Sequence, residues 1–211
     1  MFKNREEAGE KLAERLKGEL SPETIKNALV LAIPRGGVVI GEKVSRLLQL
    51  PMDCLIIKKI PAPQNEELAI GAVAEGGTVV WEEEICQRLK VPLSYRQEIV
   101  KDKAGELEKK KEELCGNRPT PEVKNKTAII VDDGVATGAT IKAAIAVVRS
   151  FLPAEVIVAV PVISQDSLLE IKEKADRVVY LEAPEMFFAV GQFYEDFTQA
   201  TDEKIRMILQ K

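Results

Sequence analysis

Apolar residues along the chain fall into two rhythms. Short apolar runs at 28–33 (ALVLAI), 127–131 (TAIIV), 156–163 and 177–181 predict strands buried on both faces. The run 53–60 (DCLIIKKI), bounded by Pro51 and Pro61, predicts another. Between them apolar positions recur every three or four residues. Ala8, Leu12, Ala13 and Leu16 mark a helix over 4–18, and Ile141, Ala144, Ile145 and Val148 mark one over 141–151. Further helices are expected at 38–48, 166–175 and near 201–210. The strand–helix–strand order over 28–60 implies a parallel pair with a right-handed crossover. The expected fold is therefore α/β: one doubly wound, mainly parallel β-sheet with flanking helices.

Residues 61–125 break this alternation. PAPQNEELAIGAVAEGGTVVW has two proline breaks and then two β-like runs about Gly76-Gly77, which predict a hairpin. Residues 94–114 predict a long polar helix with sparse apolar positions at Tyr95, Ile99, Leu107 and Leu114, and with Glu106 and Lys110 at a supportive i,i+4 spacing. This helix is either a solvated surface element or part of a mobile lid. The chain is read as one domain over 1–211, with 61–125 as an excursion and 182–211 as a C-terminal hood and helix.

Composition narrows the chemistry. The 211 residues carry 30 Lys plus Arg against 34 Asp plus Glu, which argues against a nucleic-acid coat or a membrane-surface binder. Histidine is absent, so catalytic triads and imidazole acid–base chemistry are excluded. The three cysteines, Cys54, Cys86 and Cys115, stand far apart and read as buried thiols of a reducing cytosol. The charged start predicts no signal peptide, no apolar run is long enough to span a membrane, and a cytoplasmic location is expected.

Candidate chemistry sits in two loops at strand carboxyl ends, where open α/β sheets bind ligands. One is Pro34-Arg35-Gly36-Gly37. The other is VDDGVATGAT, residues 131–140. Gly134 to Thr140 is a small-residue loop leading into a helix, suited to a phosphate: Gly134 and Gly138 permit close approach, and Thr137 and Thr140 add hydroxyls. Asp132 and Asp133, just before it, would repel that phosphate unless they face hydroxyl groups or a metal. A ribose 5-phosphate satisfies both halves. A DDG turn that merely caps a helix is the alternative. No G-x-G-x-x-G is present, and the nearest approach to a Walker loop, Gly36 to Gly41, continues with Glu42 instead of lysine.

IIVDDGVATGAT resembles the 5-phosphoribosyl-1-pyrophosphate (PRPP) motif of type I phosphoribosyltransferases. That resemblance implies that Asp132 and Asp133 hold the ribose hydroxyls, while Gly134, Val135, Ala136, Thr137, Gly138, Ala139 and Thr140 wrap the 5-phosphate. AIPRGGVVIGEKVSRLLQLPMD is similar to the family's pyrophosphate loop, which casts Arg35, Gly36 and Gly37 as pyrophosphate-binding, with glycines tolerating a strained backbone that sometimes includes a cis peptide. Lys58-Lys59 matches a basic pair ending the second strand in several members. Because strand side chains alternate, one of the two is expected to face the ligand, with Lys59 preferred. The narrower likeness is to an uncharacterised branch that brings no acceptor with it. The family's 6-oxopurine members often carry an aspartate where this chain has Ala136, which argues against guanine, hypoxanthine or xanthine.

The resemblance further implies Mg²⁺ as cofactor, held through PRPP and water either with no direct protein ligand or with Asp132 and Asp133 as the alternative donors. Its expected partners are PRPP, pyrophosphate and a nucleobase-like acceptor, with a homodimer as the expected assembly. Phe187 and Phe188 are the base-stacking candidates. Phe193 and Tyr194 are further aromatic positions of the tail, Trp81 and Tyr95 read as packing residues, and Glu66 and Glu67 as caps or acids. Two other functions fit the same loop: a PRPP-sensing regulator without transferase activity, and PRPP-dependent hydrolysis or transfer to an amine.

Overall fold

The computed structural model describes residues 1–74, 77–116 and 122–210, without the side chain of Glu67. Its centre is a five-stranded sheet formed by β1 (Ala28–Ala32), β2 (Met52–Cys54), β6 (Thr127–Val131), β7 (Glu155–Val162) and β8 (Arg177–Glu182), in the order β2-β1-β6-β7-β8. Every pairing is parallel. All five residues of β1 and of β6 are buried, as strands covered on both faces require.

Helices cover the two faces. α1 (Arg5–Glu19) and α3 (Gly36–Leu48) pack on one, burying Leu12, Leu16, Ile40 and Val44 against Val30 and Ile129. α6 (Ala139–Ser150) and α7 (Gln165–Lys172) cover the other, burying Ile141, Ile145 and Ile171 against Leu31 and Ile130. Each fully buried aliphatic side chain contributes about 1.5–3 kcal/mol. α3 leads from β1 outward to β2, whereas α6 leads from β6 outward to β7. The direction of winding therefore reverses between β1 and β6, and their carboxyl ends flank a switch-point crevice.

The run 53–60 departs from the single strand expected of it. β2 ends at Cys54, and the chain crosses at Leu55-Ile56 into β3 (Ile57–Ala62), which belongs to a separate antiparallel sheet with β4 (Asn65–Ala74) and β5 (Val79–Trp81). Its register with β1 stops at Ala32↔Cys54, after which Leu55 and Ile56 are buried in different cores. The hairpin expected here is present as β4–β5; Gly76 lies outside the described residues.

α5 (Leu93–Cys115) and α8 (Asp202–Leu209) complete this second layer, in which Ile60, Ile70, Leu107, Leu114 and Ile205 form a core of their own. Although α5 is polar overall, the sparse apolar positions read from its sequence all point into that core. Glu106 does not pair with Lys110 as its spacing suggested. It meets Lys58 at 3.1 Å and Lys103 at 2.6 Å, because β3 offers a lysine on the same side. α2 (Pro22–Lys26) and α4 (Glu83–Arg88) are short helices the apolar pattern did not predict, although Ser21-Pro22 is an ordinary helix start. The three cysteines are buried free thiols, as expected. Among the described residues no helix is long and apolar enough to cross a membrane.

The two ends of the chain are joined. The Phe2 N–H donates to the Phe193 carbonyl (2.7 Å) and the Glu195 N–H to the Phe2 carbonyl (2.8 Å), so the tail runs beside the start of α1.

Candidate active site

The loops after β1 and β6 meet at the switch point, and glycines make that contact possible. A Cβ on Gly36 would lie 1.8 Å from Asp133 Oδ2, and one on Gly37 would lie 2.6 Å from the Val131 carbonyl oxygen. Neither glycine has a positive φ. What both require is space between two loops, and beside them the Pro34–Arg35 peptide is cis, of the kind such loops sometimes carry. α3 begins at Gly36 and α6 at Ala139, so two helix N-termini open onto the crevice between adjacent strands.

The 134–140 loop is held open by serines of the neighbouring α7. Ser164 and Ser167 hydroxyls both donate to the Ala136 carbonyl, at 2.6 and 2.7 Å. In a trans peptide the following N–H points the opposite way, so this tether directs the Thr137 N–H away from α7. Gly138 takes φ +70° as the N-cap of α6, a conformation that favours glycine. Gly134 has a different reason: its absent Cβ leaves room for Val190, whose Cγ1 would otherwise be 2.5 Å away. Val135 is buried and pairs with Ile163, whereas Ala136, Thr137 and Thr140 are exposed.

The acidic pair is enclosed. The Asp133 N–H donates to Asp132 Oδ1 at 2.8 Å, and Arg5 Nε donates to Asp133 Oδ2 at 2.7 Å. Burial first, and then the charge of Asp133, push the Asp132 carboxyl well above the ordinary range. Asp133 is raised as well, chiefly by burial, and the Arg5 hydrogen bond and charge only limit that rise. The Tyr194 hydroxyl donates to the Asp133 carbonyl at 2.6 Å, and burial drives that phenol far upward. Arg5, Ser164 and Ser167 were not evident from the sequence, and Tyr194 was read there only as an aromatic position of the tail. Only the Ser-x-x-Ser helix start carried a local signal.

Arg35 stands at the crevice with its side chain one-third exposed, paired through Nε to Asp202 Oδ1 of α8 at 2.6 Å. Lys58 and Lys59 lie elsewhere. Both border a cavity of about 680 Å³ between the β3–β4 hairpin and α5, with Glu66, Tyr95 and Lys103, and its lining includes neither Arg35 nor the 132–140 loop. Lys58 also meets Glu106 of α5 at 3.1 Å. Tyr95 donates to the Pro61 carbonyl (3.1 Å) and Trp81 packs beneath Arg96, consistent with packing roles. In the tail, Phe187 packs against Phe193 at a 45° tilt with centroids 5.0 Å apart, while Phe188 is 84% exposed; both precede Val190, which rests on Gly134.

Among the described residues no group of three or more His, Cys, Asp or Glu converges to hold a metal. The hard oxygens of Asp132 and Asp133 fit a Mg²⁺ whose other ligands come from phosphates and water.

Comparison with known proteins gives the family of the chain. A family model described as "Phosphoribosyl transferase domain" matches residues 56–198, more than half of the chain. Two Mycobacterium tuberculosis proteins, from strains CDC 1551 / Oshkosh and H37Rv, carry provisional phosphoribosyl transferase names. Each is 36% identical over 211 residues, covering 100% of this chain and 47% of its own length. The chain therefore spans about half the length of these curated relatives. The crystal structure of TT1426 from Thermus thermophilus superposes with a TM-score of 0.90 at 39% identity, covering 99% of this chain and 97% of that one. The AQ2163 protein of Aquifex aeolicus shares the fold at a TM-score of 0.54 and 17% identity, over 89% of this chain and 76% of its own.

Proposed function

Because the chain belongs to the phosphoribosyl transferase domain family, we propose that its switch-point crevice binds PRPP and transfers ribose 5-phosphate to a nucleobase-like acceptor, releasing pyrophosphate. One observation carries this assignment. At a single crevice, a serine-tethered loop opening a helix adjoins two enclosed carboxylates, which are the separate demands of a phosphate and of ribose hydroxyls.

The backbone of Gly134–Thr140, with the N-terminus of α6, receives the 5-phosphate. Asp132 and Asp133 accept hydrogen bonds from the ribose hydroxyls and orient C1. Arg35, beside the N-terminus of α3, receives the pyrophosphate in exchange for Asp202, while Lys58 and Lys59 border the separate cavity between the hairpin and α5. Mg²⁺ held by PRPP oxygens and water, with the acidic pair as the protein's donors, would neutralise charge on the leaving group. An acceptor ring nitrogen forms its bond to C1 as the C1–O bond to pyrophosphate breaks, and the ring proton leaves to solvent. Developing positive charge on the ribose is stabilised by the carboxylates, so the protein's contribution is positioning and electrostatics. Phe187 and Phe188 are the stacking surface for the acceptor. Ala136 supplies no carboxylate, which disfavours a 6-oxopurine.

Asp133→Asn tests the assignment by calorimetric titration of PRPP with Mg²⁺. Loss of a charge-assisted acceptor, about 1.5–3 kcal/mol, weakens binding by roughly 10- to 150-fold. Unchanged affinity removes Asp133 from the site. A pyrophosphate-release screen against a panel of bases then identifies the acceptor, and binding without turnover on any acceptor would make the protein a sensor.

A further inference from the structure

Arg5 lies outside both loops, on the first turn of α1, yet it is the cation that touches the acidic pair. Its side chain is only 10% exposed and that of Asp133 16%. The guanidinium is fixed independently of the carboxylate it meets. Nη1 donates to the Thr198 carbonyl at 2.9 Å, and the group lies over the Phe197 ring, 3.9 Å from its centroid. The third side is closed by the first loop, since a Cβ on Gly36 would stand 2.9 Å from Arg5 Nε as well as against Asp133 Oδ2. Tyr194 holds the Asp133 backbone from the tail. Three segments distant in sequence, the start of α1, the first loop and the tail, thus converge on Asp133 and its cation.

We infer that Arg5 is a positioning residue of the ribose site, acting through Asp133. It fixes the orientation of that carboxylate and offsets its charge, so that two adjacent acids can be enclosed together without swinging apart. A carboxylate already ordered by a rigid guanidinium loses little rotamer freedom when a ligand hydroxyl docks. The planar fork is what makes this arrangement work: Nε serves Asp133 while Nη1 serves Thr198, and the flat face stacks on Phe197. A lysine ammonium would preserve charge but not these three contacts together. This role rests on the assignment of Asp133 to a ribose hydroxyl.

The test is a double-mutant cycle in PRPP–Mg²⁺ affinity using Arg5→Gln, Asp133→Asn and the double variant, with Arg5→Lys alongside. Arg5→Gln is expected to weaken binding about tenfold or more in the wild-type background, and less than about twofold when Asp133 is already Asn. Arg5→Lys recovers part of the loss. A general structural effect of Arg5 would weaken binding equally in both backgrounds, and that result overturns the inference, as does unchanged affinity in folded Arg5→Gln. If Arg5→Gln does not fold, the same cycle run with Arg5→Lys decides between the two outcomes. Wild-type protein that binds no PRPP refutes the ribose assignment itself and this role with it.

Discussion

Replacing Gly36 by alanine probes the contact between the two loops directly. The new Cβ would fall 1.8 Å from Asp133 Oδ2, 2.4 Å from its Cγ and 2.9 Å from Arg5 Nε. An ordinary contact needs about 3.4 Å or more, so something must move by well over an ångström. The Asp133 carboxylate is the end of a side chain and could in principle swing aside. Arg5 holds it at 2.7 Å, however, and both partners are largely enclosed. Swinging aside therefore separates a buried pair, which costs about 3–5 kcal/mol when one partner is lost outright and less when both can partly re-form. Overpacking without separation costs about 1–3 kcal/mol. The two routes bracket a loss of about 2–4 kcal/mol, which lowers Tm by roughly 5–15 °C for a chain of this size. Gly105→Ala in α5 is the internal control. No atom lies within 4 Å of its added Cβ, and alanine in a helix interior should raise stability by about 0.5–1 kcal/mol. Differential scanning calorimetry of both variants measures the contrast. A Gly36→Ala melting point within about 2 °C of wild type would refute the loop contact.

The same geometry sets further expectations. Asp132 has its folded-state pKa raised above the ordinary 3.8, so the native state holds that proton more tightly, and its contribution to stability falls as pH rises from about 4 through the raised value. Asp132→Asn keeps an acceptor for the Asp133 N–H and should gain about 1 kcal/mol at neutral pH, a Tm increase of about 2–4 °C, while weakening PRPP; melting curves from pH 4 to 8 check the sign. Asp202 competes with an incoming anion for Arg35, so Asp202→Asn should tighten pyrophosphate binding by up to about fivefold in calorimetric titration, an effect that shrinks in high salt. Leu107 is 1% exposed in the second core, and Leu107→Ala should cost about 2–5 kcal/mol in denaturant unfolding, whereas a solvated α5 would tolerate it.

How much was legible in the sequence differs between neighbouring features. β1, β6 and their helices were readable because local periodicity and burial coincide there: a strand covered on both faces is an unbroken apolar run. The 53–60 run misled for the same reason, since Leu55 and Ile56 are buried but in different cores, and apolarity does not say which. Gly36 and Gly37 stand out in the sequence, but what they are for does not, because a missing Cβ looks the same there whether it serves φ or serves space.

The linear order of residues by itself determined the alternating elements, the two loops at strand carboxyl ends, and the coexistence of an anion loop with an acidic pair. These depend on neighbours a few positions apart. Only the tertiary structure decided what the acidic pair and Arg35 touch. Arg5 reaches Asp133 across 128 positions, and Arg35 reaches Asp202 across 167. Those pairings arise because sheet order brings β1 beside β6 and chain closure brings the tail beside α1. A charge has no periodicity that names its partner; the fold brings the two together, as where the largely buried Asp133 meets Arg5.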